Sequence, residues 1–167
     1  DWHYVSAFGE GYGVQPNQYE CPDFFPLMLN GKQYWVMIVN INPGCLFGGS
    51  ATEYFVGTFD GKEFKCMSKP ETYKFIDWGK DHYATVTFSN APGGRVIGMP
   101  WMSNWQYANY VPTQQFRSAN ALPREFSLFE ADGEVYMAAK PVAEVKNLVS
   151  DTRREQDFAV SNNSHSV

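Results

Sequence analysis

The chain has 167 residues, 13 Lys and Arg against 18 Asp and Glu, and a formal charge of −5. That length suits one domain and is short for two, and an acidic balance argues against a nucleic-acid partner, whose binder carries a basic footprint. No apolar run reaches the roughly 18 residues of a membrane-spanning helix, while 44% hydrophobic and 19% charged residues describe a chain that builds a core. Aromatic residues make up 17%, which points to β-structure and to surfaces that stack on the flat apolar faces of sugars.

The chain opens Asp1-Trp2-His3-Tyr4, with no Met and no charged-then-apolar leader, and reads as processed or trimmed. Hairpin punctuation follows. Asn30-Gly31 separates the apolar stretch 24–29 from 33–39, Asp60-Gly61 follows 52–59, and Asp132-Gly133 lies between 126–129 and 134–139. Asn-Gly and Asp-Gly supply the positive φ angles that tight two-residue turns need. Residues 83–88 alternate with period two, and Pro92-Gly93-Gly94 turns the chain into 95–99. Helical periodicity is confined to 142–149. After Asp151 the chain turns polar, so 151–167 reads as a linker or tail; its Asn162-Asn163-Ser164 fits a glycosylation sequon, a pattern short enough to arise by chance. The pattern is a meander of antiparallel strands, compatible with a sandwich, a barrel or propeller blades.

Three cysteines, Cys21, Cys45 and Cys66, are too few for a disulfide framework, although one bridge among them is open. Neither they nor His3, His82 and His165 show metal-ligand spacing, and nothing implies a metal or an organic cofactor. Three clusters carry candidate chemistry. In Tyr19-Glu20-Cys21-Pro22-Asp23, after a loop ending Gln15-Pro16-Asn17-Gln18, Glu20 sits in an aromatic, loop-tethered setting that suits a general acid; the plain alternative is a turn with two solvated carboxylates. In Asp77-Trp78-Gly79-Lys80-Asp81-His82-Tyr83, two carboxylates, an ammonium and an imidazole suit a polyol grip, or equally a polar loop before a strand. In Trp101-Met102-Ser103-Asn104-Trp105-Gln106-Tyr107, indoles at i and i+4 pair stacking faces with amides, as a sugar subsite requires, or anchor the core.

In register, six segments resemble family-32 glycoside hydrolases, the invertases, inulinases and levanases. They are Trp2-His-Tyr-Val-Ser-Ala-Phe-Gly-Glu10, Glu20-Cys-Pro-Asp-Phe-Phe-Pro26 and Gly49-Ser-Ala-Thr-Glu-Tyr-Phe-Val-Gly-Thr-Phe-Asp-Gly61. Asp77-Trp-Gly-Lys-Asp-His-Tyr-Ala84, Gly98-Met-Pro-Trp-Met-Ser-Asn-Trp-Gln-Tyr107 and Leu122-Pro-Arg-Glu-Phe-Ser-Leu128 complete the match, which spans roughly residues 2 to 150. The resemblance implies an all-β fold: two to three blades of a five-bladed β-propeller over 1–150, with 151–167 leading toward a β-sandwich. It implies a retaining hydrolysis of β-fructosides in levan, inulin or sucrose, in which one carboxylate attacks the anomeric carbon and another protonates the leaving oxygen. By the motif match Glu20 is the acid/base residue, and Cys21 helps set its environment. Asp77, Lys80, Trp101, Asn104 and Trp105 match segments around the bound sugar.

Two segments of the family pattern do not occur here: the Trp-x-Asn-Asp-Pro-Asn-Gly stretch holding the nucleophile and the Arg-Asp-Pro stretch that binds fructose hydroxyls. The chain therefore reads as the C-terminal part of a propeller, incomplete without its N-terminal blades and inactive alone. Fructans, being polymers, place such an enzyme outside the cytoplasm. The alternatives are a non-catalytic fructan-binding β-domain and, last, a purely structural one. If Glu20 is catalytic, it converges with Asp77 and Trp101 or Trp105 on one site.

Overall fold

A computed structural model describes residues 1–16 and 18–154, so most of the expected tail, with its sequon, lies outside the described residues. Two antiparallel sheets make up the fold. The first is a plain meander of β1 (Tyr19–Leu29), β2 (Lys32–Ile41), β3 (Ala51–Phe59) and β4 (Phe64–Cys66) in spatial order. The second contains β5 (Tyr83–Thr87), β6 (Ile97–Met102), β8 (Arg124–Ala131) and β9 (Glu134–Pro141), with the two-residue β7 (Ala119–Asn120) beside β6. Each sheet is one propeller blade, so the chain holds two.

Local chemistry explains the strand ends. The Asn30-Gly31 and Asp132-Gly133 turns hold both residues at positive φ, as tight hairpins require. Asp60-Gly61 differs: Phe59 pairs with Phe64, leaving a four-residue loop. The Asp60 carboxylate closes it by accepting from the N–H groups of Lys62 (2.9 Å) and Glu63 (2.8 Å), an Asx-type turn that outcompetes the two-residue one. The turn at 92–94 is 3-10, and its strand begins at Ile97 and extends to Met102. The periodic stretch 142–149 is also a short 3-10 turn, Ala143–Leu148, pinned by the Arg95 guanidinium on Glu144 and Glu125.

Strands β2 and β3 read as near-continuous apolar runs because both faces of the first blade are covered. On one face Phe25, Val36, Ile38, Tyr54 and Val56 pack against Phe126, Leu128, Val135 and Met137 of the second blade. On the other, Val39, Ile41 and Phe55 pack with Val14, Phe64 and Phe75, alongside Phe8, Tyr12, Phe24 and Trp35. The first interface also has polar pins. Tyr54 Oη accepts from the Met137 N–H at 3.2 Å. Lys74, buried, bonds the Val135 carbonyl at 3.1 Å, pairs with Glu134 at 3.0 Å and sits 4.2 Å over the Tyr136 ring. Cys21, Cys45 and Cys66 are all free thiols.

Candidate active site at the junction of the two blades

Glu20 is not on a loop. It lies in β1 opposite Asn40, and the pairing shifts register between Glu20 and Asp23. The interruption is a bulge in which Cys21 takes a φ of 42°, and bulges re-aim the neighbouring side chain out of the sheet's alternation. Cys21 itself is exposed. The Glu20 carboxylate, half-buried, accepts a hydrogen bond from the phenol of Tyr83, the first residue of β5. Burial pushes the Tyr83 phenol well above its ordinary range, and the bond to Glu20 pushes it further, so it keeps the proton that it donates to Glu20 at any ordinary pH. Tyr83 is also the link to the indoles: its ring centroid is 6.4 Å from that of Trp101, which is 5.1 Å from that of Trp105. Trp101 is half-buried and its N–H bonds the Arg117 carbonyl at 3.1 Å, while Trp105 is about half exposed. Glu20 is thus linked through Tyr83 to Trp101, and through Trp101 to Trp105.

Asp77 and Lys80 have partners of their own, and none of these is Glu20, Tyr83 or an indole. The Asp77 carboxylate accepts from the Gly79 N–H at 2.6 Å, pairs with Arg124 at 2.7 Å and lies 3.9 Å from His82 Nδ1. Burial alone raises its pKa, but the Gly79 N–H and the Arg124 guanidinium outweigh burial and hold it below the usual carboxylate range. His82 is pushed down to about 4, by burial first and then by Arg124. It is therefore neutral at physiological pH. Lys80 is exposed and donates to Gln106 at 2.7 Å. Asn104 is fully buried, and both ends of its amide are engaged: it accepts from the N–H groups of Ser50 (3.2 Å) and Gln106 (2.9 Å) and donates to the carbonyls of Lys80 (2.9 Å) and Ser50 (3.1 Å). It clamps three loops of the rim together. Gly49, at φ +72°, permits this, because a Cβ there would collide with the Asn104 amide.

A buried polar ladder lies beneath. Thr52 donates to Asn40 Oδ1 at 2.6 Å, its hydroxyl is 2.9 Å from that of Thr85, and the Thr85 hydroxyl is 3.0 Å from His82 Nε2. Sequence reasoning passed over Tyr83, Asn40, Thr85 and Arg124. Asn40 did carry a signal, a carboxamide at the end of the apolar run Val36-Met37-Ile38-Val39, where burial demands partners. Among the described residues no cluster of three or more His, Cys, Asp or Glu side chains is placed to hold a metal ion.

Residues 1–141 match the family model for the glycosyl hydrolases family 32 N-terminal domain. The chain belongs to glycosyl hydrolase family 32. It is 39% identical over 171 residues to a levanase of Bacillus subtilis, covering 99% of this chain and 25% of that protein. It is 38% identical over 157 residues to invertase 2 of Saccharomyces cerevisiae, covering 87% and 29%. The fructofuranosidase of Schwanniomyces occidentalis, solved in complex with fructose, superimposes with a TM-score of 0.73 at 40% identity, over 83% of this chain and 28% of that one. The chain thus spans between a quarter and three-tenths of the length of these family-32 relatives, and its two blades are part of the family's β-propeller.

Proposed function

We propose that this chain supplies the acid/base side of the active site of a retaining β-fructosidase acting on levan, inulin or sucrose. The observation that carries the reading is the Glu20 carboxylate, next to a bulge in β1, bonded by the Tyr83 phenol and linked through that ring to Trp101 and Trp105. In the first step Glu20, protonated, gives its proton to the glycosidic oxygen as the bond to the fructosyl carbon breaks. In the second it takes a proton from the water that releases fructose. Trp101 and Trp105 offer faces for a sugar ring, Lys80 and Asp77 offer hydroxyl-binding charge at the rim, and Cys21 borders the carboxylate. Asn104 contributes by holding the loops that carry Lys80 and Trp105.

The nucleophile, in this reading, belongs to the N-terminal blades of the family pattern, whose Trp-x-Asn-Asp-Pro-Asn-Gly and Arg-Asp-Pro segments this sequence does not contain. Residues beyond about 150 lead toward the sandwich, and the enzyme works outside the cytoplasm, where fructans are. No helix among the described residues is long and apolar enough to cross a membrane. A polypeptide joining this chain to such blades is expected to release fructose or fructo-oligosaccharides from at least one of sucrose, inulin and levan, and the 167-residue chain alone to release none. Sugar-release assays on the two proteins check this. Fructan binding without hydrolysis by the joined polypeptide would favour a non-catalytic binding domain, and hydrolysis by the isolated chain would overturn the division of the site.

A further inference from the structure

We propose that Asn40 is a positioning residue for the acid/base centre: its buried amide staples the irregular backbone that carries Glu20 to the irregular backbone that carries Tyr83. The inference rests on the reading of Glu20 as the acid/base residue. Two strands from different blades meet here, and both break register directly after the residue that matters. On β1 the shift falls between Glu20 and Asp23, and on β5 it falls between Tyr83 and Val86. Each break contains a non-glycine residue in the left-handed region, Cys21 at φ 42° and Ala84 at φ 52°, a conformation that L-residues hold only when their surroundings impose it.

Asn40 imposes it on both. Its Nδ2 donates to the Cys21 carbonyl at 3.2 Å and to the Thr85 carbonyl at 3.3 Å, and its Oδ1 accepts from the Thr85 N–H at 3.0 Å. The amide is fully buried, and the Thr52 hydroxyl, donating to Oδ1 at 2.6 Å, fixes its rotation. A carboxamide has two donors and a two-lone-pair acceptor, and here all four find partners. On the far side of the bulge Asp23 completes the staple, its Oδ2 accepting from the N–H (2.8 Å) and hydroxyl (2.6 Å) of Thr87. Asn40 touches neither substrate nor reacting atoms. Its effect is to fix the distance and angle between a carboxylate and its phenol donor that come from separate sheets.

A loss of positioning differs from a loss of stability in its dependence on the leaving group. Sucrose needs a proton on its departing oxygen, whereas an aryl β-fructofuranoside with an acidic phenol does not, and kcat/KM reports this first step for both. In the joined polypeptide, Asn40→Ala is expected to lower kcat/KM for sucrose at least about tenfold more than for the aryl substrate, a fraction of the 10²–10⁴-fold of a general acid. Thr52→Val, which leaves the amide's bonds to Cys21 and Thr85 but removes the hydroxyl that fixes its rotation and bonds the Thr85 hydroxyl, is expected to show the same selectivity at a few-fold, and keeps the test available if Asn40→Ala does not fold. Lys74→Met, at the other end of the blade interface, is expected to lower the melting temperature with no such selectivity. Equal losses on the two substrates in the Asn40 and Thr52 variants would overturn the proposal. If Glu20→Gln shows the selectivity and these variants do not, only the positioning role falls; if Glu20→Gln lacks it, the reading of Glu20 falls and takes this inference with it.

Discussion

Replacing Glu20 with Gln in the joined polypeptide is expected to lower kcat/KM for sucrose by about 10²–10⁴-fold, the range a positioned general acid contributes. The substitution keeps the shape of the side chain and still accepts the Tyr83 hydrogen bond, so the fold loses little. What it removes is the acidic proton that a carboxyl can give and take back. The loss is therefore expected in turnover more than in KM, because Trp101, Trp105, Lys80 and Asp77 remain in place. It is also expected to shrink to within about tenfold on an aryl β-fructofuranoside, whose leaving oxygen departs without help. Steady-state kinetics on the two substrates check both points. A uniform loss on both would mean that Glu20 serves binding or folding rather than proton transfer.

The second large effect concerns a carboxyl that the proposed chemistry does not use. Glu53 is fully buried in β3 and, among the described residues, accepts only from the Val14 N–H, at 3.2 Å to each oxygen. Gly13, at φ +60°, passes so close that a Cβ there would strike the carboxyl. Burial raises its pKa to about 8, against a small opposing pull from the Val14 N–H. The folded state thus holds a proton that the unfolded chain gives up near 4.5. Stability from this group is full below that value and falls as pH climbs toward 8, because the unfolded state sheds its proton first. His82 works in the opposite sense and in a lower window: neutral when folded, with a pKa of about 4 against 6.5, it withdraws stability only as pH falls below 6.5. Between pH 6.5 and 8, then, Glu53 acts without it. Over that span the unfolding free energy is expected to drop by about 1.5 kcal/mol relative to the Glu53→Gln variant. Between acid pH and pH 8 the cumulative loss relative to the variant, which carries no ionisable group there, is on the order of several kcal/mol. Denaturant unfolding of both proteins across pH 6–9 measures this. Parallel curves would show that Glu53 ionises as freely in the fold as in the unfolded chain.

The sequence made the blades legible where turn chemistry is local. Asn30-Gly31 and Asp132-Gly133 have no easier conformation than the tight hairpin, and the alternation at 83–88 has none easier than a strand. Asp60-Gly61 misled because its carboxylate found two N–H donors of its own. Glu20 was legible only through its Glu-Cys-Pro-Asp motif. Its bulge was not, since a break in register depends on what the facing strand offers, here the Asn40 amide. Tyr83 was hidden for a related reason: a tyrosine opening an alternating strand looks like core, and only the approach of β1 from the other blade turns its phenol into a partner for Glu20. The Asp77–Arg124 pair was equally out of reach, joining the loop ahead of β5 to a strand some fifty residues on.

The most direct test of Glu20 as the acid/base residue is azide rescue of Glu20→Ala in the joined polypeptide. With an aryl β-fructofuranoside the covalent fructosyl-enzyme still forms, but no base remains to activate water. Azide needs no base: it attacks the anomeric carbon and releases the nucleophilic carboxylate, with net retention. The prediction is that azide accelerates turnover of the variant but not of the unsubstituted enzyme, and that the product is β-fructosyl azide. A folded Glu20→Ala protein that turns over no faster with azide and forms no azide adduct would contradict the assignment.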